Sequence, residues 1–278
     1  MDFPALIDYL VVGHICRDLA AGGTTIGGTA AYSAATAKTL GCRTAVLTSY
    51  AGDDSIQHSL PDITIHNLGS EVTTTFENIY TANGRLQTIH AVAGDIGVDD
   101  VPPHMQRAKI AHIGPVADEV DPRIISLFSN SIVGLTPQGW MRHWGEDGVI
   151  NAQPWDQAAD YLSLAAATFI SDEDLVTPNM LNEFRRYSKV LVMTQGPAGS
   201  IVYFGDEARS FPAPRVNAVD LTGAGDIYAT AFLVRLYQTG GDPWEAGRFG
   251  NEIAARSVTA TGLSNKMQAI QGYMSHKG

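Results

Sequence analysis

An α/β protein with a central, mostly parallel sheet flanked by helices is what this sequence predicts, and three observations carry that expectation. Short apolar runs of strand length alternate with longer Ala-rich or amphipathic runs, the pattern of repeated β-α units. The strand-like runs are apolar at nearly every position, as strands covered on both faces must be. One segment, 71–93, breaks the rhythm with alternating Thr, Ile, Val and aromatic residues around Asn83-Gly84, a hairpin signal.

The elements follow in order. Residues 8–14 (DYLVVGH) read as a strand, and 29–41 (TAAYSAATAKTLG) as a helix stopped by Gly41. Residues 44–52 form the next strand and its glycine turn. The hairpin at 71–93 is either an antiparallel edge or a lid over a site; the pattern alone does not choose. Further short strands are expected at 109–114, 131–136, 166–171 and 189–196. Helices are expected between them at 121–130, 154–165 and 178–188, two with Pro near the first turn, where its missing N–H costs little. From Ile227, apolar Tyr228, Phe232 and Leu236 recur at helical spacing until Gly240-Gly241.

The bulk properties bound the function. The chain has 278 residues, 45% hydrophobic and 17% charged, with a formal net charge of −11. Such a chain can bury a large core. Its diffuse acidity argues against nucleic acid or an anionic membrane as the main partner, though backbone N–H groups can still hold a phosphate. Cys16 and Cys42 form no CxxC pattern, which argues against a disulfide scaffold or a zinc knuckle. No apolar run approaches the ~18 residues of a membrane span, and the start lacks a basic, then apolar, leader pattern, so the expected location is cytoplasmic.

Several motifs fail. Residues 22–29 (GGTTIGGT) resemble a P-loop, but Gly28 occupies the lysine position, so the charge on the β/γ-phosphates is missing. There is no GxGxxG opening a helix, no GxSxG and no HExxH. His104 and His112 form no ligand pair.

One constellation survives, in 220–226 (DLTGAGD). Gly223, Ala224 and Gly225 fall at the start of the 227–240 helix, where N–H groups lack intrahelical partners and the helix dipole is positive. Two glycines let backbone approach a ligand closely, so the stretch is a candidate anion hole. Asp226 beside it stabilises the helix start by about 0.3–1 kcal/mol whatever else it does. It is also placed to take a proton from a hydroxyl that attacks a bound phosphate.

DLTGAGD before a small-residue helix resembles the signature of the PfkB/ribokinase family of carbohydrate kinases, D-T-x-GAGD. The resemblance implies a ribokinase-like domain over 1–278, with lid elements around 15–26 and 71–93. It implies ATP as donor, Mg2+, and transfer of the γ-phosphate to a sugar or polyol hydroxyl, with Asp226 as catalytic base. Other stretches agree in order. Residues 11–19 resemble the family's first strand, ending in a substrate-binding aspartate, here Asp18. Residues 27–35 resemble GGxxxN, with Gly27 and Gly28 beside the substrate, and 52–54 resemble a G-x-D turn. Residues 194–199 match T-x-G-x-x-G near ATP through Thr194, Gly196 and Gly199, and Asn251 falls in the helix that borders the nucleotide.

The departures lie mostly on the acceptor side. Tyr32 stands where relatives carry Asn, and Thr136-Pro137-Gln138 stands for D-P-N, with Arg142 near enough to replace the family's lost Arg. Tyr32 and Gln138 therefore enter the substrate-binding set. In place of N-x-x-E the chain has Ser171 and Asp174, and Asp174 is the candidate for Mg2+. The short segment before Gly27 implies a reduced N-terminal lid. The implied acceptor is a sugar, a cyclitol such as myo-inositol, or a nucleoside; a phosphosugar ranks lower because Lys and Arg number only 18. A non-catalytic sugar or nucleotide sensor is the rival reading, and the lid edges are where a homodimer is expected to pair.

Overall fold

The computed structural model describes residues 6–20, 23–52, 54–81 and 84–277. The strands are β1 (Tyr9–Val12), β2 (Cys16–Ala20), β3 (Gly23–Gly27), β4 (Thr44–Thr48), β5 (Thr64–Asn67), β6 (Thr75–Thr81), β7 (Gly84–Ala91) and β8 (Ile110–Ile113). They continue as β9 (Ile132–Leu135), β10 (Arg142–His143), β11 (Asn151–Ala152), β12 (Ala167–Ser171), β13 (Val190–Thr194), β14 (Ser200–Phe204) and β15 (Glu207–Phe211). The helices are α1 (Thr29–Thr39), α2 (Asp54–Ser59), α3 (Ala158–Tyr161), α4 (Met180–Tyr187), α5 (Ala224–Gln238), α6 (Pro243–Ser257) and α7 (Leu263–Lys277).

The main sheet has the order β15-β14-β13-β12-β9-β8-β1-β4-β5. It is parallel from β13 to β5, and β14 runs antiparallel to both of its neighbours. All four residues of β1 are buried because their alternate side chains enter different cores. Leu10 and Val12 join Ile113, Leu135, Phe128, Trp140, Trp155 and Phe184 on one face. Tyr9 and Val11 join Val46, Val192, Phe169 and Phe232 on the other, under α1 and α5.

A second sheet, order β3-β2-β6-β7, stands over the first as a small cover. Cys16, Phe76 and Ile89 from it pack on Val116 and Ala117. Residues 148–150 run along the outer edge of β7, with Ile89 N donating to Gly148 O at 2.9 Å and Ile150 N to Gln87 O at 3.0 Å. The hairpin at 71–93 is thus part of a separate sheet, not an edge of the main one. Its turn residue Asn83 lies outside the described residues.

The structure amends four expectations. The run 11–19 is two strands in two sheets: the chain leaves the main sheet after Val12 because side chains take its next amides, His14 N donating to Glu119 Oε1 at 2.9 Å and Ile15 N to Thr48 Oγ1 at 2.9 Å. The short segment before Gly27 holds two strands of the second sheet, β2 and β3, paired over five residues each. Residues 121–130 form a 3-10 turn, Pro122–Phe128, and 154–165 hold only the short α3 followed by another 3-10 turn. The β14–β15 hairpin was not foreseen, because its polar second strand, Glu207–Phe211, carries only Ala208 and Phe211 as apolar residues.

The chain reverses its direction of travel across the sheet between β1 and β8. It builds β1, β4 and β5 outward on one side, then β8, β9, β12 and β13 on the other. Ligands of open α/β sheets bind outside the carboxyl ends of the strands at such a point. That rim carries His14, Gly114, Thr136, Asp174 and Gly196, and the start of α5 lies on the same side of the fold as the cover.

Candidate active site

The loop before α5 is shaped by Asp220. Its Oδ1 accepts Thr222 N at 2.9 Å and its Oδ2 accepts Gly262 N at 3.2 Å. Burial pushes the Asp220 carboxyl up, but these N–H bonds and the neighbouring Lys266 charge outweigh it and hold the pKa below its usual value. Gly223 then caps α5 in the left-handed region, at φ 73°. A Cβ there would overlap the Tyr32 ring, so glycine is required both by conformation and by space.

Among the described residues, the N–H groups of Gly223, Gly225 and Asp226 have no backbone acceptor, whereas Ala224 N donates to Leu221 O at 3.1 Å. Of the three donors expected from sequence, Ala224 therefore closes the turn. The open amides are those of Gly223, Gly225 and Asp226, at the positive end of a fifteen-residue helix.

Asp226 has a pKa raised to about 6. Burial is the largest cause; a hydrogen bond with the Thr29 side chain and the Arg142 charge lower it, and Asp18 raises it again. Asp226, Asp18 and Arg142 thus form one electrostatic group although they come from α5, β2 and β10. Asp18 lies against Gly27, where any Cβ would overlap its carboxylate. Gly28 is the N-cap of α1 and Thr29 its first residue.

Arg142 is buried. It donates Nη1 to Val116 O at 2.8 Å and Nη2 to Gln138 Oε1 at 2.7 Å, and it lies 5.7 Å from the Phe76 ring centroid of the cover. Gln138 Nε2 in turn donates to Asp174 Oδ1 at 3.3 Å, and Asp174 Oδ2 accepts Ser171 N at 2.7 Å. The polar chain Arg142–Gln138–Asp174 therefore runs along the strand ends. Each Asp174 oxygen already carries a protein hydrogen bond, which leaves it able to meet a cation through water rather than as an open ligand. Among the described residues, no three His, Cys, Asp or Glu side chains gather into a metal cage.

Other sequence candidates take different places. Tyr32 is only 5% exposed and lies beneath Gly223 with Ile227, Ala231, Phe249 and Ile253, so its ring packs under the start of α5. Asn251, also 5% exposed, donates Nδ2 to Ser200 Oγ and to Phe211 O, both at 2.9 Å. Its amide nitrogen is thus spent tying α6 to the β14–β15 hairpin. Thr194 ends β13 and donates to Ile170 O at 3.3 Å; Gly196 opens and Gly199 closes the 3-10 turn that follows. Thr29 was missed because a threonine after two glycines carries no signal of its own. Arg142 was foreseen from sequence as near enough to replace the family's lost Arg, with no partner assigned to it.

The class follows from these features: a ribokinase-like α/β fold with a β cover. Solved structures agree with it. A pyrophosphate-dependent kinase in the ribokinase family, complexed with a pyrophosphate analog and myo-inositol, matches with a TM-score of 0.75 at 22% identity, over 94% of this chain and 99% of that one. The ribokinase of Thermotoga maritima matches with a TM-score of 0.72 at 20% identity, over 97% and 100%.

Residues 163–270, which hold the open amides at the start of α5 and Asp226, match the model of the pfkB family carbohydrate kinases. The likeness to the pfkB family carbohydrate kinases is thus carried by that segment of the chain. A nucleoside kinase of Methanothermobacter thermautotrophicus is 37% identical over 93 residues, which are 32% of this chain and 29% of that one. The matched segment thus spans less than a third of that relative. Among the described residues, no helix is long and apolar enough to cross a membrane.

Proposed function

We propose that the protein is a kinase that moves the terminal phosphoryl group of ATP to a hydroxyl of a neutral polyol, a sugar or cyclitol, with a nucleoside as the nearest alternative acceptor. The observation that carries this reading is the meeting of Asp226 with open helix-start amides on one side and with Asp18 and Arg142 on the other. Asp18 offers two acceptor oxygens to a pair of hydroxyls, and Arg142 and Gln138 supply the facing polar edge. Two carboxylates against one guanidinium make that space unfavourable for an acceptor that already bears phosphate.

In the reaction, the acceptor hydroxyl gives its proton to the Asp226 carboxylate as its oxygen bonds to the terminal phosphorus and the bridging oxygen leaves with ADP. A loose transition state needs position and charge stabilisation more than a strong base. The N–H groups of Gly223, Gly225 and Asp226 stabilise the transferring phosphoryl, each worth about 2.7–4 kcal/mol by precedent for such donors. Asp174 would help hold a Mg2+ ion, which would supply charge neutralisation for the donor phosphates. The cover of β2, β3, β6 and β7 excludes water. Its exposed pair Ile79 and Leu86, directly opposite in register, is the surface a second copy would cover in a homodimer.

The donor has a second reading. The Asn251 amide is bound to Ser200 and Phe211, and one similar structure is that of a pyrophosphate-dependent kinase. Exposed Val219 and Leu221, just ahead of the anion hole, favour a donor with an apolar base, and hence ATP. The test is a matrix of ATP and pyrophosphate against sugars, cyclitols and nucleosides, read as phosphorylated product. ATP-dependent product from a neutral polyol is expected. Product from pyrophosphate alone would replace the donor. Tight polyol or nucleotide binding without product from any pair would make the protein a sensor.

A further inference from the structure

The Lys266 side chain is 0% exposed, the only fully buried lysine among the described residues. Lysine is almost never fully buried unless its charge is partnered, and removing an ammonium from water costs several kcal/mol. Its position adds to the cost. Lys266 sits in the first turn of α7, where the helix dipole disfavours a cation. Neither packing nor helix stability accounts for it.

Its contacts do. Nζ donates to Asp220 O at 2.6 Å and to Ser257 O at 3.5 Å, and lies 3.3 Å from Asp220 Oδ2. Three acceptors match the three donors of an ammonium, where a neutral amine would place its lone pair against one of them. Ser257 is the last residue of α6, so its carbonyl stands at the negative end of that dipole. Asp220 opens the loop that becomes the anion hole, and its other carboxylate oxygen holds Thr222 N, one residue before Gly223. Val258 O accepts Val219 N at 2.8 Å and Asp220 N at 3.3 Å, so the α6 end grips the same loop from below.

We propose that Lys266 is a tethered internal cation that fixes the 219–223 loop against the ends of α6 and α7 and so sets the aim of the Gly223, Gly225 and Asp226 amides. It is a positioning residue: the structure gives it no contact with the reacting groups. Its charge offsets carbonyl and carboxylate oxygens that would otherwise repel an incoming phosphate. The inference rests on the reading of the α5 N-terminus as the phosphate site.

The test follows the backbone amide resonances of Gly223, Gly225 and Asp226 while inorganic pyrophosphate is titrated into wild type, Lys266→Ala and Lys266→Met. The wild-type amides are expected to shift. Lys266→Ala opens an oxygen-lined cavity and should bind pyrophosphate at least about tenfold more weakly. Ammonium chloride should restore the affinity to within about threefold, where tetramethylammonium chloride at equal ionic strength does not. Lys266→Met fills the space without the charge, so it should bind weakly and stay weak in ammonium. A folded Lys266→Met or Lys266→Ala that binds within about twofold of wild type overturns the inference. So does a loss in Lys266→Ala that ammonium relieves no better than tetramethylammonium. Should Lys266→Ala unfold, recovery of its melting temperature specifically in ammonium takes the place of affinity as the readout, and absence of that recovery counts against the tether. Wild-type amides that ignore pyrophosphate would instead remove the phosphate site itself, and the tether with it.

Discussion

At Asp226 the same burial that endangers stability would set up the proposed proton transfer. Its folded pKa of about 6 exceeds the 3.8 of the free carboxyl, so the folded state binds the extra proton between those values. The carboxylate therefore costs nothing below about pH 4, and the cost is complete above about pH 6, at up to about 3 kcal/mol. Asp226→Asn removes that cost: at pH 7 the variant is expected to melt at a higher temperature than wild type, and the gain should vanish at pH 4. Activity has the opposite sign, because the base must be unprotonated. The acid limb of kcat/KM should fall near pH 6. Asp18 raises that pKa and Arg142 lowers it, so Asp18→Asn should move the limb to lower pH and Arg142→Met to higher pH. A pH profile of each variant with saturating donor checks both shifts.

Elements, more than single residues, hold the start of α5 and the turn after β13. α5 is buried along most of its length, with Tyr228 and Phe232 under the sheet and Ile227 and Ala231 on Tyr32 and α6. The periodicity at Tyr228, Phe232 and Leu236 revealed one face of it, but the second face is made of partners remote in sequence. Tyr32 looked like an acceptor contact because position within a motif was the sole guide; its ring lies under Gly223. Tyr32→Ala should cost about 3–5 kcal/mol by leaving a cavity there, measured by chemical denaturation. Asn251→Ala strands Ser200, Tyr228 and the Phe211 carbonyl as a partly unpaired group and should cost about 1–3 kcal/mol. Because the hairpin it ties down follows the Gly196–Ala198 turn, proposed to face the donor, that variant should raise the KM for the donor more than it lowers kcat.

Over the whole molecule, the parallel sheet was legible because its strands are short apolar runs separated by helix-length segments, and DLTGAGD marked the helix start to within a turn: Ala224 opens α5 where the periodicity began it at Ile227. What stayed hidden depends on pairing. The split of 11–19 into β1 and β2 follows from Glu119 and Thr48 taking the amides of His14 and Ile15, more than thirty residues distant in each case. The grouping of Asp18, Arg142 and Asp226 follows from the cover folding back over the strand ends. That cover should tighten when both substrates are present: ligands at about a hundred times Kd stabilise by about 2.7 kcal/mol, seen as a higher melting temperature and slower amide exchange in β6 and β7.

The central claim is that Asp226 accepts the acceptor's proton beside an anion hole at the start of α5. Steady-state kinetics of Asp226→Asn, with the donor and polyol that wild type uses best, test it most directly. The account predicts a loss of at least about a hundredfold in kcat, with acceptor affinity within a few-fold of wild type. A variant that binds both substrates and keeps the wild-type kcat would contradict it.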